Sequence, residues 1–227
     1  MKCRQEKGYT LIELLVTVLV ASIVLAATLG SYTIVSNQHS RMTTRLDLQQ
    51  QGGFAMAAMQ RHIRQANYMD PNTIQPNPIT SYAVIGDNTI DVGSDSLTVS
   101  YDLDANTRIC VRFNVAVDQN TGISRLLETR GVWMGAGPMC NYDNAVPEPL
   151  VSNVETLQFH AIANPAGRVV LIDVFLLLSS SRFQFNQPNY IPPLYEAGMA
   201  AGYAPANPRN TLQSFSASVF LRNVRQP

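Results

Sequence analysis

The first apolar run of the chain starts at Leu11 and is broken once, by Glu13. From Leu14 to Gln38 no side chain is charged. As a helix that stretch spans about 37 Å, more than the roughly 30 Å of a hydrocarbon core, so the pattern predicts a membrane-crossing segment. From Ser36 to Met69 the sequence turns polar but stays helical in composition. Met42, Leu46, Phe54, Ala57, Ala58 and Ile63 contain i, i+3 and i, i+4 pairs, which predicts one packing face. Gly52-Gly53 is the weak point of this helix, where a bend or a close approach is expected. The helix is expected to end before Asp70-Pro71, at Tyr68.

Beyond a turn-rich linker from Pro71 to Pro78 the period changes to two. Leu97, Val99 and Tyr101 alternate with polar residues, and Ile109, Val111, Phe113, Val115 and Val117 alternate more cleanly. Both read as half-buried strands, with Cys110 on the opposite, wetter face. Asp118 to Gly122 reads as a hairpin turn into a strand near 123–129. Segments 154–162 and 169–178 form a second expected hairpin across Asn164-Pro165-Ala166-Gly167. The latter segment is apolar on both faces except at Asp173, which suggests a central strand. Residues 186–210, rich in Pro, Gly, Asn and Tyr, read as a long exposed loop. Phe215, Ala217, Val219 and Leu221 alternate in a closing strand. The fold class is therefore α+β: a long N-terminal helix, its first half transmembrane, and its second half packed on an antiparallel β-sheet head.

Charge sharpens the N-terminal reading. Lys2, Arg4 and Lys7 make the stretch before the apolar run basic, which places it on the cytoplasmic side and the head across the membrane. Glu13 inside the run is expensive unless it has a partner, and the simplest partner is a group on another copy of a related chain. Over the whole chain 16 Lys plus Arg balance 16 Asp plus Glu, so nothing in the bulk charge indicates nucleic acid. Of three cysteines, Cys3 precedes the apolar run, and Cys110 and Cys140 remain in the head. In an oxidising compartment these two are expected to form a disulfide, two buried free thiols being the alternative.

Gly8-Tyr9-Thr10-Leu11-Ile12-Glu13-Leu14 resembles the prepilin processing motif of type IV pilins and type II secretion pseudopilins. The resemblance implies cleavage after Gly8 by a prepilin peptidase and N-methylation of Tyr9, an aromatic residue where the family usually has Phe. It also gives Glu13 the task of neutralising the terminal amine of a neighbouring subunit. The implied segments are a leader (1–8), a transmembrane and fibre-core helix half (9–35), an amphipathic half (36–69) and a periplasmic β-rich head (70–227). Leu48 to Met56 with Arg61 to Ala66 is similar to the helix end of PilW-type minor pilins, with His62 where that group usually has Asp. Leu221-Arg222-Asn223 resembles the ending of that group and of the J-type pseudopilins. What the resemblance implies is a structural minor pilin in a pilus or a pseudopilus, starting in the bacterial inner membrane. Its partners would be major and minor pilins, the prepilin peptidase, the inner-membrane assembly platform and membrane lipid.

The competing class is an exported periplasmic binding protein with an ordinary signal peptide, for which Val24-Leu25-Ala26 could serve as a cleavage site. Against it stand Glu13 within the apolar core and the apolar residues continuing through Leu29, Tyr32, Ile34 and Val35. No catalytic, cofactor or metal constellation is expected. His39, His62 and His160 have no ligand spacing, and no nucleophile elbow or phosphate loop occurs. Asp102-Leu103-Asp104-Ala105-Asn106 matches the start of a calcium loop, but Thr107 and Phe113 stand where Gly and Glu are needed. A turn held by Asp and Asn side chains is the better reading. Asp87, Asp91 and Asp95 read as solvated loop and strand-end residues.

Overall fold

The computed structural model describes residues 10–72, 83–85, 94–133, 140–165, 167–183 and 210–222. The chain divides into two units, Met1–Thr44 and Arg45–Pro227. One helix, α1 (Leu11–Gln65), runs through both. Among the described residues nine strands follow: β1 (Ala83–Ile85), β2 (Leu97–Asp102), β3 (Arg108–Val117), β4 (Ser124–Trp133), β5 (Cys140–Asn141), β6 (Glu148–Ser152), β7 (Val154–Ala163), β8 (Val169–Phe183) and β9 (Asn210–Phe220). They form an antiparallel sheet in the order β1-β2-β3-β4-β5, with β6 also on β4, and a second antiparallel sheet β7-β8-β9.

In the second unit α1 presents Leu48, Ala55, Met56, Met59, Ile63 and Ala66 to a core shared with both sheets. Leu97, Val99, Val111 and Phe113 come from the first sheet, and Phe159, Ile172, Val174 and Val219 from the second. The packing face differs from the expected one. Met42, Leu46 and Phe54 are 67%, 56% and 62% exposed, and of the six residues expected on that face only Ile63 joins the core. The buried stripe instead steps through Leu48, Gly52, Ala55, Met59, His62, Ile63 and Ala66, a 3.6-residue period in which three of the seven positions are Gly or Ala. Gly52 explains why: the Phe215 ring lies over it, at 2.1 Å from where a Cβ would stand. Of the two expectations for Gly52-Gly53, the close approach is what this contact shows, and α1 continues through both glycines.

α1 stops at Gln65, three residues before the expected Tyr68. Asn67 takes a left-handed φ of 62° and donates its N–H to Ser100 O, which turns the chain onto β2. The hairpin turns at 118–123 and 164–168 place Gly122 and Gly167 at φ of 67° and 75°, a region glycine enters at no steric cost. β8 is the central strand of its sheet, as its apolar faces suggested. β1, β5 and β6 are short additions that the alternation did not announce. Loop 186–210 and the linker residues from 73 to 78 lie outside the described residues, apart from Asn210, which opens β9.

Two acidic residues have other roles than expected. Asp95 is buried: its N–H donates to Leu157 O at 2.7 Å and its Oδ2 accepts from Phe159 N at 3.0 Å, tying the approach to β2 onto β7. It is a link between sheets rather than a solvated strand end. Asp87 and Asp91 fall outside the described residues.

Candidate assembly site

Of the N-terminal candidates, Glu13 is placed by the start of α1. Gly8 and Tyr9 lie outside the described residues. Thr10 caps the helix: its carbonyl accepts from Glu13 N at 3.1 Å and Leu14 N at 3.2 Å, and its Oγ1 stands 3.4 Å from Glu13 N. A Thr followed three residues later by Glu is the sequence signature of a helix start, and it was available in Thr10 and Glu13. Glu13 sits in the first turn, where the helix dipole favours a carboxylate, and its side chain is exposed.

The neighbours of Glu13 are exposed as well. Leu11 is 79% and Ile12 70% exposed, and large apolar side chains continue so through Val35. The hydroxyls in this stretch are closed off within the helix. Thr17 donates to Leu14 O at 2.8 Å, Ser22 to Leu19 O at 2.7 Å, and Thr28 to Leu25 O at 2.8 Å. A segment so arranged shows an apolar environment no unsatisfied donor from these side chains, which suits lipid or a helix bundle. By length and composition α1 can cross a membrane. Among the described residues up to Val35, Glu13 is then the one acidic side chain on an otherwise apolar surface, and an apolar environment would leave its charge in need of a cationic partner.

The head carries the other candidates. Cys110 and Cys140 are joined by a disulfide with 6.0 Å between their Cα atoms. Cys110 does lie on the face of β3 opposite the core, but that face is not wet at this point. Cys110 is fully buried in a small cluster with Met69, Cys140 and Tyr142. Tyr142 lies against Gly131, and the Arg112 guanidinium stacks 4.0 Å above its ring. The segment Cys140 to Tyr142 is thus a strap laid over the outer face of β3 and β4.

A buried polar group centres on His62, named above only as a departure from the PilW pattern and as a histidine without ligand spacing. Its Nδ1 is 2.7 Å from Tyr101 Oη, and its Nε2 is 3.2 Å from Arg61 Nη2 and 3.4 Å from Glu128 Oε1. Protonated on Nε2, the ring donates toward Glu128 and accepts from Tyr101; protonated on Nδ1, it donates to Tyr101 and accepts from Arg61. Either neutral tautomer is satisfied. Burial lowers the His62 pKa to about 4, against the pull of Glu128 and with the help of Arg61 and Arg130. Arg130 Nε holds Glu128 Oε1 at 2.8 Å, so the acid pairs along its own strand.

The calcium-loop resemblance resolves into two separate devices. Asp102 is buried and paired with Arg108, whose Nε lies 2.6 Å from Oδ1 and Nη2 3.3 Å from Oδ2, while Asp70 N donates to Oδ2 at 3.1 Å. Asp104 instead accepts from Asn106 N and Thr107 N, each at 2.8 Å, and these bonds hold its carboxyl below the ordinary range. The two carboxylates serve different partners and do not converge.

One row looks catalytic by composition. His160, Asp173 and Ser218 are cross-strand neighbours on β7, β8 and β9. Ser218 donates to Asp173 Oδ1 at 2.5 Å, and His160 Nδ1 is 3.9 Å from Asp173 Oδ2. The acid occupies the middle, so the hydroxyl faces a carboxylate and not the imidazole; the serine–histidine–acid order of a nucleophilic triad is not met. Among the described residues no three His, Cys, Asp or Glu side chains gather as a metal site.

With this geometry in place, comparison with known proteins adds two findings. Residues 3–29 match the signature described as the prokaryotic N-terminal methylation motif. The fold matches that of a type IV-like pilin from Thermus thermophilus with a TM-score of 0.54 at 13% identity, covering 79% of this chain and 100% of the other. No curated protein matches the sequence. The chain therefore has the fold of type IV-like pilins and carries at its N-terminus the methylation motif of prepilins.

Proposed function

We propose, for a chain that joins a prepilin methylation motif to a pilin-fold head, that the protein is a structural minor pilin of the PilW type. It is cleaved between Gly8 and Tyr9 and methylated on the Tyr9 amine. Before assembly it spans the bacterial inner membrane once, with its head in the periplasm. In the fibre Glu13 neutralises the terminal amine of an adjacent subunit. Its partners are other pilins, the prepilin peptidase, the assembly platform and the surrounding lipid. The observation that carries this reading is Glu13: one exposed carboxylate in the first turn of an exposed apolar helix, within the matched motif. The Gly52-Gly53-Phe54-Ala55 step on α1 supports the PilW assignment.

A second reading shares the same chemistry. Leu221-Arg222-Asn223 also fits a J-type pseudopilin, which primes a secretion pseudopilus rather than a surface pilus. Intact-mass and N-terminal analysis of the membrane-extracted protein tests both. A mature chain starting at N-methyl-Tyr9 is expected, whereas a chain starting at Ala27 would assign it to ordinary export. Deletion then separates the two fibres: loss of surface pili supports the first reading, and loss of secretion with pili intact supports the second.

A further inference from the structure

At the end of α1 a cleft of about 310 Å³ is lined by Arg64, Gln65, Tyr68, Tyr101, Asp102, Leu103 and Arg222. Its two exposed arginines come from distant parts of the chain, and each follows a core anchor. Ile63 is fully buried before Arg64, and Leu221 is buried before Arg222, with its N–H on Val170 O at 3.0 Å. The local backbone under both guanidinium groups is therefore fixed by packing. Among the described residues neither guanidinium has an acidic partner. Asp102, the acid in the lining, is consumed internally by Arg108 and Asp70 N.

The formal charge of the lining follows directly. The lining itself carries Arg64, Arg222 and Asp102, one net positive charge; Arg108, behind the lining, neutralises Asp102, which leaves the two exposed arginines as the charges the cleft presents. The C-terminal end of α1 contributes roughly half a negative charge, too little to offset them. Leu103 is 62% and Tyr68 40% exposed, so an apolar rim borders the cationic floor. Guanidinium groups take carboxylates in paired N–H···O geometry, and an aromatic and a leucine beside them favour an apolar neighbour next to the acid. A duplex or a lipid surface calls for a longer track of cations than this single pair provides.

We infer that this cleft binds a carboxylate side chain, flanked by an apolar residue, presented by the head of a neighbouring subunit. The subunit as the source of the acid rests on the fibre reading above; carboxylate recognition by Arg64 and Arg222 does not. The test uses the detergent-solubilised full chain labelled with 15N-arginine, the two Nε–H signals being assigned by their loss in R64Q and R222Q. The probe is the peptide acetyl-Gly-Leu-Glu-Leu-Gly-amide, with its glutamine counterpart, inorganic phosphate and phosphatidylglycerol vesicles as comparisons. Saturable shifts of both signals by the glutamate peptide, weakened about tenfold in R64Q or R222Q and unaltered in R45Q, support the proposal. Equal response to the glutamine peptide, no response, or tighter response to phosphate or vesicles overturns it. An E13A chain should titrate identically, so failure of the cleft and failure of the fibre reading remain distinguishable.

Discussion

The Phe215 ring of β9 rests on the backbone of Gly52 in α1, with three ring carbons within 2.6 Å of where a Cβ would be. Gly53, one residue on, has nothing within 4 Å of the same position. The pair gives an internal control. Gly53→Ala should stabilise the protein by about 0.5–1 kcal/mol through helix propensity. Gly52→Ala gains the same propensity but must push the ring aside, and overpacking of this kind costs about 1–3 kcal/mol. Thermal melting in detergent should therefore rise for Gly53→Ala and fall for Gly52→Ala. Adding Phe215→Leu to Gly52→Ala should recover part of the loss.

His62 makes the head sensitive to acid. Its folded pKa of about 4 lies below the ordinary 6.5, so between those values the unfolded chain holds the extra proton. Stability from this group is thus intact above pH 6.5, falls as the pH drops, and levels off below about 4. The span corresponds to about 3 kcal/mol. Denaturant titrations across that range should show this slope, and His62→Gln should flatten it. A wild-type slope unchanged in His62→Gln would show that other groups carry the acid sensitivity.

Asp102 and Arg108 are both buried, and removal of one partner strands the other. Asp102→Asn should cost about 3–5 kcal/mol, read as a lower unfolding midpoint. Replacing both, with Asp102→Leu and Arg108→Met, should recover at least half of that loss because no unpaired charge remains. If the double variant proves worse than the single one, the pair does more for the β2–β3 end than neutralise itself.

Glu13→Ala should leave the chain inserted in the membrane and processed, yet poorly incorporated into fibres. Gly8→Val should give an unprocessed, slightly heavier precursor. Immunoblots of membrane and sheared-fibre fractions check both. Wild-type amounts of Glu13→Ala in fibres, with no native copy present, would refute an assembly role for the carboxylate.

Alternation revealed β2, β3 and β9 because it reports a buried and an open face directly, while turn residues marked β4 and the β7–β8 hairpin and the two apolar faces of β8 marked it as central. The helix face was harder. Phe54, Met42 and Leu46 attract attention by size, but burial followed Gly52, Ala55 and Met59, where small or pliable side chains let β9 approach. At Gly52 the neighbour is Phe215, more than 150 residues away, a contact that the hydrophobic pattern of the helix does not encode. β5 and β6 are edge additions to β4 too short to alternate, one of them containing Pro149. Asp95 reads as solvated because its partners, Leu157 and Phe159, are backbone groups of a distant strand. At the N-terminus the reverse holds. Motif, basic flank and apolar run are all contiguous, so Glu13 was identifiable without any tertiary information.

The strap from Cys140 to Tyr142 carries a consequence in time. Its covalent anchor is made only where thiols are oxidised, and closing a loop of that separation, 30 residues, is worth about 3.5 kcal/mol in the chain-entropy model. A chain still facing a reducing cytosol holds Cys110 and Cys140 as thiols and lacks that contribution. For a head carried across the membrane, as proposed above, that gain in stability comes only after synthesis and translocation, which would order export before maturation.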